Sequence, residues 1–280
     1  MAKGYTSEKI TVPSGDFRMK MIILRPTDAR PRENTPGILW IHGGGYVTGM
    51  AGMIYMSRAV ALVKKFGAVV VTPEYRLAGQ APYPAALRDC YAALEYLHSH
   101  AAELGVNPGL LMVGGESAGG GLTAALCMAV RDFSDIRIAF QMPLYPMIDD
   151  RDTASSRKNY RLPWNSFFNH AAWKKYLADV SGEPSPYAAP ARQTDYTNLP
   201  PCYTFVGDKE PFCCETIAYV EALKKAGVDA HVDVYHSGFH AFDILTPFRR
   251  ISKTASQSFE QAFERALRQS QSPDHGIRRQ

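Results

Sequence analysis

A serine flanked by glycines is the first candidate nucleophile in the chain. Residues 115–119 read Gly-Glu-Ser-Ala-Gly and match G-x-S-x-G, a pattern in which the serine occupies a strained turn between a strand and a helix. An apolar run at 110–113 precedes the motif, and apolar residues at helical spacing follow it from Leu122. A glycine turn with an incidental serine is the alternative. The flanking pattern instead favours Ser117 as a nucleophile.

A cluster of three glycines follows another apolar run. Residues 42–45 read His-Gly-Gly-Gly and come directly after the run at 37–41. Because glycines carry no obstructing side chains, the backbone N–H groups of such a loop can turn into a cavity and stabilise a developing oxyanion. A plain glycine turn or a phosphate loop is the alternative, but neither G-x-G-x-x-G nor G-x-x-x-x-G-K-[ST] occurs in the chain.

A serine nucleophile needs a general base, and histidine is well suited to that role. Among the eight histidines, His240 follows the strand-like run at 230–235 by a few residues. We therefore expect it at the carboxyl edge of the sheet, where Ser117 also lies. His236 is the competing candidate and is closer to the strand. Five others are interpreted by default as solvated or core side chains: His98, His100, His170, His231 and His275.

The base in turn needs a carboxylate that fixes its tautomer and stabilises the imidazolium. Two acids, Asp208 and Glu210, follow the apolar run at 202–206. The residues alone leave both open as the candidate acid. The order Ser117, Glu210 and His240 is the α/β-hydrolase order of nucleophile, acid and histidine.

The segments that carry these residues alternate between strand-like and helix-like patterns. The sequence predicts an antiparallel hairpin from residues 8–12 and 19–24, then strands at 37–41, 68–72, 110–113, 136–142, 202–206 and 230–235, and helices at 54–66, 84–99, 118–131, 215–226 and 252–268. Apolar runs separated by helices favour an α/β fold, with a mostly parallel central sheet and helices on both faces.

One long segment, residues 149–196, does not fit this alternation. It is rich in Asp, Arg, Ser and Pro, yet it carries aromatic residues such as Trp164 and Trp173. A loop of this length inside a compact domain is usually functional or separately folded, so we expect a helical cap-like insertion. Its aromatic residues are expected to form mainly the core of the cap and secondarily the acyl pocket. We expect a single domain over residues 1–280 with a frayed tail at 269–280.

Composition excludes several classes of protein. Hydrophobic residues make up 46% and charged residues 21%, as in globular proteins, and the net charge of +4 gives no electrostatic footprint for nucleic acid. No apolar run approaches the ~18–20 residues of a membrane span, and residues 1–10 lack a secretory signal pattern. Five cysteines without metal-ligand spacing indicate reduced thiols. We therefore expect a cytoplasmic protein without a metal.

Several motifs in order resemble the hormone-sensitive-lipase-like family of α/β-hydrolases, also called the bacterial acetyl-esterase family. The motifs that carry the resemblance are residues 42–47, 74–78, 84–89, 115–121, 207–212 and 238–242. The acid motif of this family usually reads G-x-x-D-P-L. The resemblance therefore selects Glu210 over Asp208, with glutamate at the position of the family's aspartate and Phe212 at the position of its leucine.

The resemblance implies a serine carboxylesterase that hydrolyses short-chain acyl esters through an acyl-enzyme intermediate, without a cofactor. It implies that the backbone N–H groups of Gly44, Gly45 and Ala118 form the oxyanion hole, and that His42 braces their loop. A homodimer is possible because family members often pair through a sheet edge.

The sequence is also compatible with two other functions. An amidase or aryl-formamidase would use the same triad on activated amides. A ligand receptor would use the same scaffold without catalysis, as in the gibberellin receptors. Those receptors lack the catalytic histidine, which is present here as His240.

Overall fold

Eight strands form one sheet in the part of the chain that the computed structural model describes, residues 4–28, 32–236 and 238–271. The strands are β1 (Tyr5–Ser14), β2 (Phe17–Pro26), β3 (Gly37–Ile41), β4 (Val69–Pro73), β5 (Leu111–Glu116), β6 (Phe140–Leu144), β7 (Cys202–Gly207) and β8 (Ala230–Tyr235). Their order across the sheet is β1-β2-β4-β3-β5-β6-β7-β8. The pairs from β4 to β8 are parallel, whereas β1 and β2 pair as an antiparallel hairpin and β2 joins β4 antiparallel. The predicted α/β-hydrolase fold class is confirmed.

Helices cover both faces of this sheet. They are α1 (Ala59–Phe66), α2 (Ala85–Ser99), α3 (Ala118–Phe133), α4 (Ser166–Tyr176), α5 (Cys213–Lys225), α6 (Phe242–Leu245) and α7 (Arg250–Gln271), and short 3-10 helices lie at Arg32–Asn34, Ala51–Met56, Pro108–Leu110 and Pro190–Arg192. Buried residues of α2, α3 and α5 form the core on one face, and those of α1 and α7 form it on the other.

The central strands explain why the sequence shows unbroken apolar runs. Every residue of β3 is buried, with Leu39 and Ile41 in one core and Ile38 and Trp40 in the other. A strand covered on both faces must be apolar at every position, and successive side chains alternate between the two faces. The outer strand β1, by contrast, alternates between exposed and buried positions near its end.

The structure corrects the predicted helix at 54–66. A 3-10 helix, Ala51–Met56, is followed by the separate helix α1 from Ala59. Ser57 lies between them in an extended conformation, where its hydroxyl donates to the Ile54 carbonyl and accepts from the Ala59 amide. A serine that bonds the local backbone in this way interrupts a helix that hydrophobic periodicity alone would continue.

Several other boundaries also differ from the prediction. The strand predicted at 136–142 begins only at Phe140, since its pairing with β5 starts at Met112 opposite Phe140, and it extends to Leu144. The last helix continues through Gln271, three residues beyond Arg268. The remainder of the predicted frayed tail, residues 272–280, lies outside the described residues.

Candidate active site

Ser117 lies on the turn between β5 and α3. Its φ of 58° and ψ of −119° place it in a strained conformation that projects the side chain away from the sheet. A Cβ at Gly115 would lie 2.5 Å from the Ile41 carbonyl oxygen, and one at Gly119 would lie 2.1 Å from the same atom. Both glycines of the motif are therefore required because the end of β3 passes close to this turn.

The structure brings Ser117, His240 and Glu210 together in one hydrogen-bonded chain. The distance from Ser117 Oγ to His240 Nε2 is 3.0 Å, and the distance from His240 Nδ1 to Glu210 Oε2 is 2.5 Å. With Nδ1–H donating to the carboxylate, Nε2 is left as the acceptor for the serine proton. Ser117, His240 and Glu210 are 7%, 6% and 1% exposed, so this chain is shielded from water. The arrangement can therefore activate the hydroxyl as a nucleophile.

The two competing candidates form a separate pair at the surface. His236 Nδ1 lies 2.8 Å from Asp208 Oδ2, and the His236 side chain is 86% exposed. Asp208 also pairs with Lys209. The structure thus places the alternative base and the alternative acid beside each other, in contact with solvent rather than in the chain of Ser117.

The turn after β7 holds Glu210 in place. The second carboxylate oxygen, Oε1, accepts from the Gly207 amide at 3.0 Å, so both oxygens of this buried acid have a partner. The Lys209 amide donates to the Gly238 carbonyl at 3.0 Å, which links this turn to the loop that carries His240. Because a Cβ at Gly207 would lie 2.2 Å from the Gly238 oxygen, the two loops can approach closely only with glycine at this position.

The loop after β3 has the conformation expected of a glycine cluster. Gly44 and Gly45 have φ values of 119° and 59°, and the amide of Thr48 donates to the Gly44 carbonyl. His42 stacks on Tyr75 at 4.1 Å between ring centroids, and its Nδ1 lies 2.8 Å from the Gly43 carbonyl oxygen. Burial lowers the pKa of His42, which favours a neutral ring. His42 therefore supports the backbone of this loop.

Three backbone N–H groups next to Ser117 have no acceptor within the described part of the chain. They belong to Gly44, Gly45 and Ala118, the last being the first residue of α3. The loop and the nucleophile turn are adjacent, since a Cβ at Gly43 would lie 3.3 Å from the Ser117 Cβ. Unpaired donors beside a nucleophile are the arrangement that can bind a developing oxyanion.

Three aromatic rings surround the imidazole of His240. The ring centroids of Phe212, Tyr145 and Trp164 lie 5.1, 5.3 and 6.4 Å from that of His240. Phe212 and Tyr145 are fully buried and meet the imidazole edge to face. These contacts limit the rotation of the ring, so its two nitrogens stay directed at Ser117 and Glu210. The sequence gives no periodicity or motif that would have identified Trp164.

The insertion at 149–196 is hydrogen-bonded to the loop that carries Glu210. Ser155 Oγ donates to the Pro211 carbonyl at 2.6 Å and accepts from the Cys214 amide at 3.0 Å. The Asn159 side-chain amide donates to the Lys209 carbonyl at 3.2 Å. The insertion contains a single α-helix, α4, among its described residues. Other residues of the segment bond to α3, where the Tyr187 hydroxyl donates to Asp132 Oδ2 at 2.8 Å.

A second feature that the sequence did not predict is the buried acid Glu116, which precedes Ser117. Glu116 Oε2 accepts from the Trp40 indole N–H at 2.8 Å, and burial together with the charge of Asp243 raises the pKa of Glu116 to about 8. Asp243 pairs with Arg58 at 3.0 Å. Two carboxyl groups therefore lie near Ser117 beside one guanidinium group, and the raised pKa favours the protonated form of the acid that has no cation of its own.

The described residues contain neither a cluster of metal ligands nor a membrane-spanning helix. Across residues 4–28, 32–236 and 238–271, no three His, Cys, Asp or Glu side chains come together as a metal site. Over the same residues, no helix has the length and apolar character that crossing a bilayer requires. The five cysteines are free thiols, and three of them are buried.

Comparison with known proteins agrees with this geometry. A family model described as the alpha/beta hydrolase fold matches residues 38–244. Esterase LipI of Mycobacterium tuberculosis is 32% identical over 78% of this chain and 68% of that protein, and carboxylesterase NlhH of the same organism is 30% identical over 75% and 67%. A solved bacterial heroin esterase superposes with a TM-score of 0.89 at 34% identity, covering 95% of this chain and 86% of that one.

A parallel sheet with a nucleophile turn, a histidine loop and an acid turn at its carboxyl edge defines the α/β-hydrolase class. The family match covers well over half of the chain, so the chain belongs to the alpha/beta hydrolase family. The resemblance to the hormone-sensitive-lipase-like members of that family is confirmed by the same matches.

The buried acid predicts how stability depends on pH. The ordinary pKa of glutamate is 4.5, and that of Glu116 is raised to about 8 in the folded chain. Folding therefore takes up a proton between these pH values, and the free energy of unfolding falls as pH rises through this window. In Glu116→Gln, which removes the titration, we expect this fall to be smaller by about 1 kcal/mol or more.

The measurement is urea unfolding of both proteins at several values from about pH 5 to about pH 8. Glu103→Gln, a change at an exposed glutamate, serves as the matched control and should retain the dependence of the wild type. Parallel stability curves for wild type and Glu116→Gln would contradict the assignment of a raised pKa to Glu116.

Proposed function

We propose that this carboxylic-ester hydrolase cleaves short-chain acyl esters through an acyl-enzyme intermediate, with Ser117, His240 and Glu210 as its catalytic triad. The main support for this proposal is the continuous chain of hydrogen bonds from Ser117 Oγ through His240 to Glu210. The named carboxylesterases among the relatives support ester hydrolysis. The preference for short acyl groups rests on the resemblance to the acetyl-esterase family.

The first step is attack by Ser117 Oγ on the ester carbonyl carbon. His240 Nε2 takes the serine proton as the new C–O bond forms, and Glu210 stabilises the resulting imidazolium through Nδ1–H. The carbonyl oxygen becomes an oxyanion, which accepts hydrogen bonds from the N–H groups of Gly44, Gly45 and Ala118. These donors are fixed before the substrate arrives, so little reorganisation is needed as the charge develops.

Collapse of the tetrahedral intermediate breaks the bond to the alcohol oxygen. His240 Nε2–H protonates that oxygen, the alcohol leaves, and the acyl group stays on Ser117. A water molecule then takes the place of the alcohol, with His240 as its general base. His240 Nε2 takes a proton from this water as the water oxygen bonds to the acyl carbon, and it gives that proton to Ser117 Oγ as the bond between Oγ and the acyl carbon breaks. The carboxylic acid is released and the free serine is restored.

The organisation of the whole protein is part of the proposal. We propose a single domain over residues 1–280, with the cap-like insertion at 149–196 over one sheet that carries all the site residues. Five free thiols support a cytoplasmic location. A homodimer through a sheet edge is proposed from the family resemblance. The proposed substrate is a small ester.

The nucleophile is tested by Ser117→Ala. Loss of the hydroxyl removes covalent catalysis while leaving the oxyanion donors, so we expect kcat for p-nitrophenyl acetate to fall by about 10⁴-fold or more. Hydrolysis of p-nitrophenyl esters from acetate to laurate by the wild type, followed by absorbance, should be fastest for short acyl chains. Turnover in Ser117→Ala comparable to that of the wild type would show that another residue is the nucleophile.

The acid is tested by a matched pair of isosteric amides. In Glu210→Gln the amide cannot stabilise the imidazolium, and we expect kcat to fall by about 10³- to 10⁴-fold. In Asp208→Asn, which alters the surface pair with His236, we expect kcat within about twofold of the wild type, because the chain of Ser117, His240 and Glu210 is left intact. The reverse result, with Asp208→Asn inactive and Glu210→Gln active, would move the acid to Asp208. Circular dichroism of both variants establishes that they are folded.

A further inference from the structure

The three rings beside His240 differ in their exposure. Tyr145 and Phe212 are fully buried, whereas Trp164 is only partly buried. Trp164 is thus the one of these three rings that is also in contact with solvent.

Trp164 also packs against the loop of residues 42–45 after β3, which is the proposed oxyanion loop. A Cβ on Gly45 would lie 2.1 Å from the indole Cη2, so the ring rests directly on this glycine. The indole N–H points towards Asn169 Oδ1 at 3.5 Å. The ring therefore lies near both Gly45 and His240, the two residues that an ester at Ser117 is proposed to contact.

Two further rings continue from Trp164 to the surface. Phe168 lies 6.0 Å from Trp164 and is 41% exposed, and Phe167 lies 5.8 Å from Phe168 and is 75% exposed. These rings belong to the same insertion as Trp173 and Tyr176, which are buried against Tyr46 as cap core. The expectation that the aromatic residues mainly form cap core therefore fits Trp173 and Tyr176 but not the three rings nearer the site. An exposed row of apolar rings leading to a catalytic group is suited to contact with a ligand.

Because Trp164 lies next to His240, the role of His240 determines which half of an ester contacts these rings. His240 Nε2 must come within hydrogen-bond distance of the leaving oxygen in order to protonate it. The alcohol half of the ester therefore lies on the histidine side of Ser117, and the acyl half extends away from it. A ring of the alcohol half would meet the indole of Trp164 and then Phe168, where aromatic rings stack favourably.

We propose that Trp164, extended by Phe168, forms the subsite for the leaving alcohol and selects esters of aromatic alcohols over esters of alkyl alcohols. This inference rests on the proposed triad mechanism and adds the substrate class. Trp164 then affects which alcohol half of the ester is preferred, and it does not affect the preferred length of the acyl half.

The test compares phenyl acetate with ethyl acetate in wild type, Trp164→Leu and Trp164→Phe. Each substrate is compared with itself across the variants, so the higher intrinsic reactivity of phenyl acetate cancels. We expect Trp164→Leu to lower kcat/KM for phenyl acetate by about tenfold, with ethyl acetate changed by less than about threefold. Trp164→Phe should retain most of the activity on phenyl acetate. Equal losses on both acetates in Trp164→Leu would overturn the subsite.

A second series varies the acyl half at a constant alcohol. With p-nitrophenyl esters from acetate to octanoate, the ratio of Trp164→Leu to wild type in kcat/KM should stay constant along the series. A ratio that rises with acyl length would show that Trp164 limits the acyl pocket, and the proposal would be wrong. Phe133→Ala is the control, because Phe133 is 70% exposed and lies at the far end of α3, and its two acetate rates should match the wild type.

Two measurements distinguish failure of the proposed triad from failure of the proposed alcohol subsite. If no wild-type hydrolysis depends on Ser117, both the triad function and the subsite are overturned. If hydrolysis depends on Ser117 but the ratio of phenyl to ethyl acetate is unchanged in Trp164→Leu, only the alcohol subsite is overturned.

Discussion

The close approach of the backbones that leave β3 and β5 is the constraint on which the whole site depends. A Cβ at Gly119 would collide with the Ile41 carbonyl, and one at Gly43 would lie 2.9 Å from the Glu116 carbonyl oxygen. With glycine at these positions, the oxyanion loop and the nucleophile turn lie side by side. Any larger residue would separate the N–H donors from Ser117, and stabilisation of an oxyanion depends on distances close to 3 Å.

Burial of the acid imposes a second requirement. A carboxylate that is 1% exposed must have partners for both oxygens, since an unpaired buried charge is costly. Glu210 meets this requirement with the Gly207 amide of its own turn and with His240. Because one oxygen is anchored within the turn, the other is presented to the imidazole at a fixed place. Glutamate, with its additional methylene, can therefore stand where the family usually has aspartate.

Local signals were enough to predict most of the strands and helices of the sheet and the residues that follow the strands. The glycine patterns around Ser117 and after Ile41, together with apolar runs, indicated the strands, the turns and the sheet edge where they meet. The choice of Glu210 over Asp208 needed the family resemblance, because both acids follow the same strand. Trp164 could not be predicted, since its place beside His240 arises from long-range packing of the insertion. The helix break at Ser57 was missed because hydrophobic periodicity does not report side-chain bonds to the backbone.

The raised pKa of Glu116 is consistent with the catalytic role proposed for the neighbouring Ser117. Arg58 already pairs with Asp243, so a second ionised carboxyl in this buried cluster would lack a cation of its own. Protonation replaces the large cost of an unpaired charge with the smaller cost of a buried neutral group. It also leaves Glu116, the residue that precedes Ser117, without a negative charge. In a medium of low dielectric constant, such a charge would oppose the oxyanion that the adjacent N–H groups are placed to stabilise.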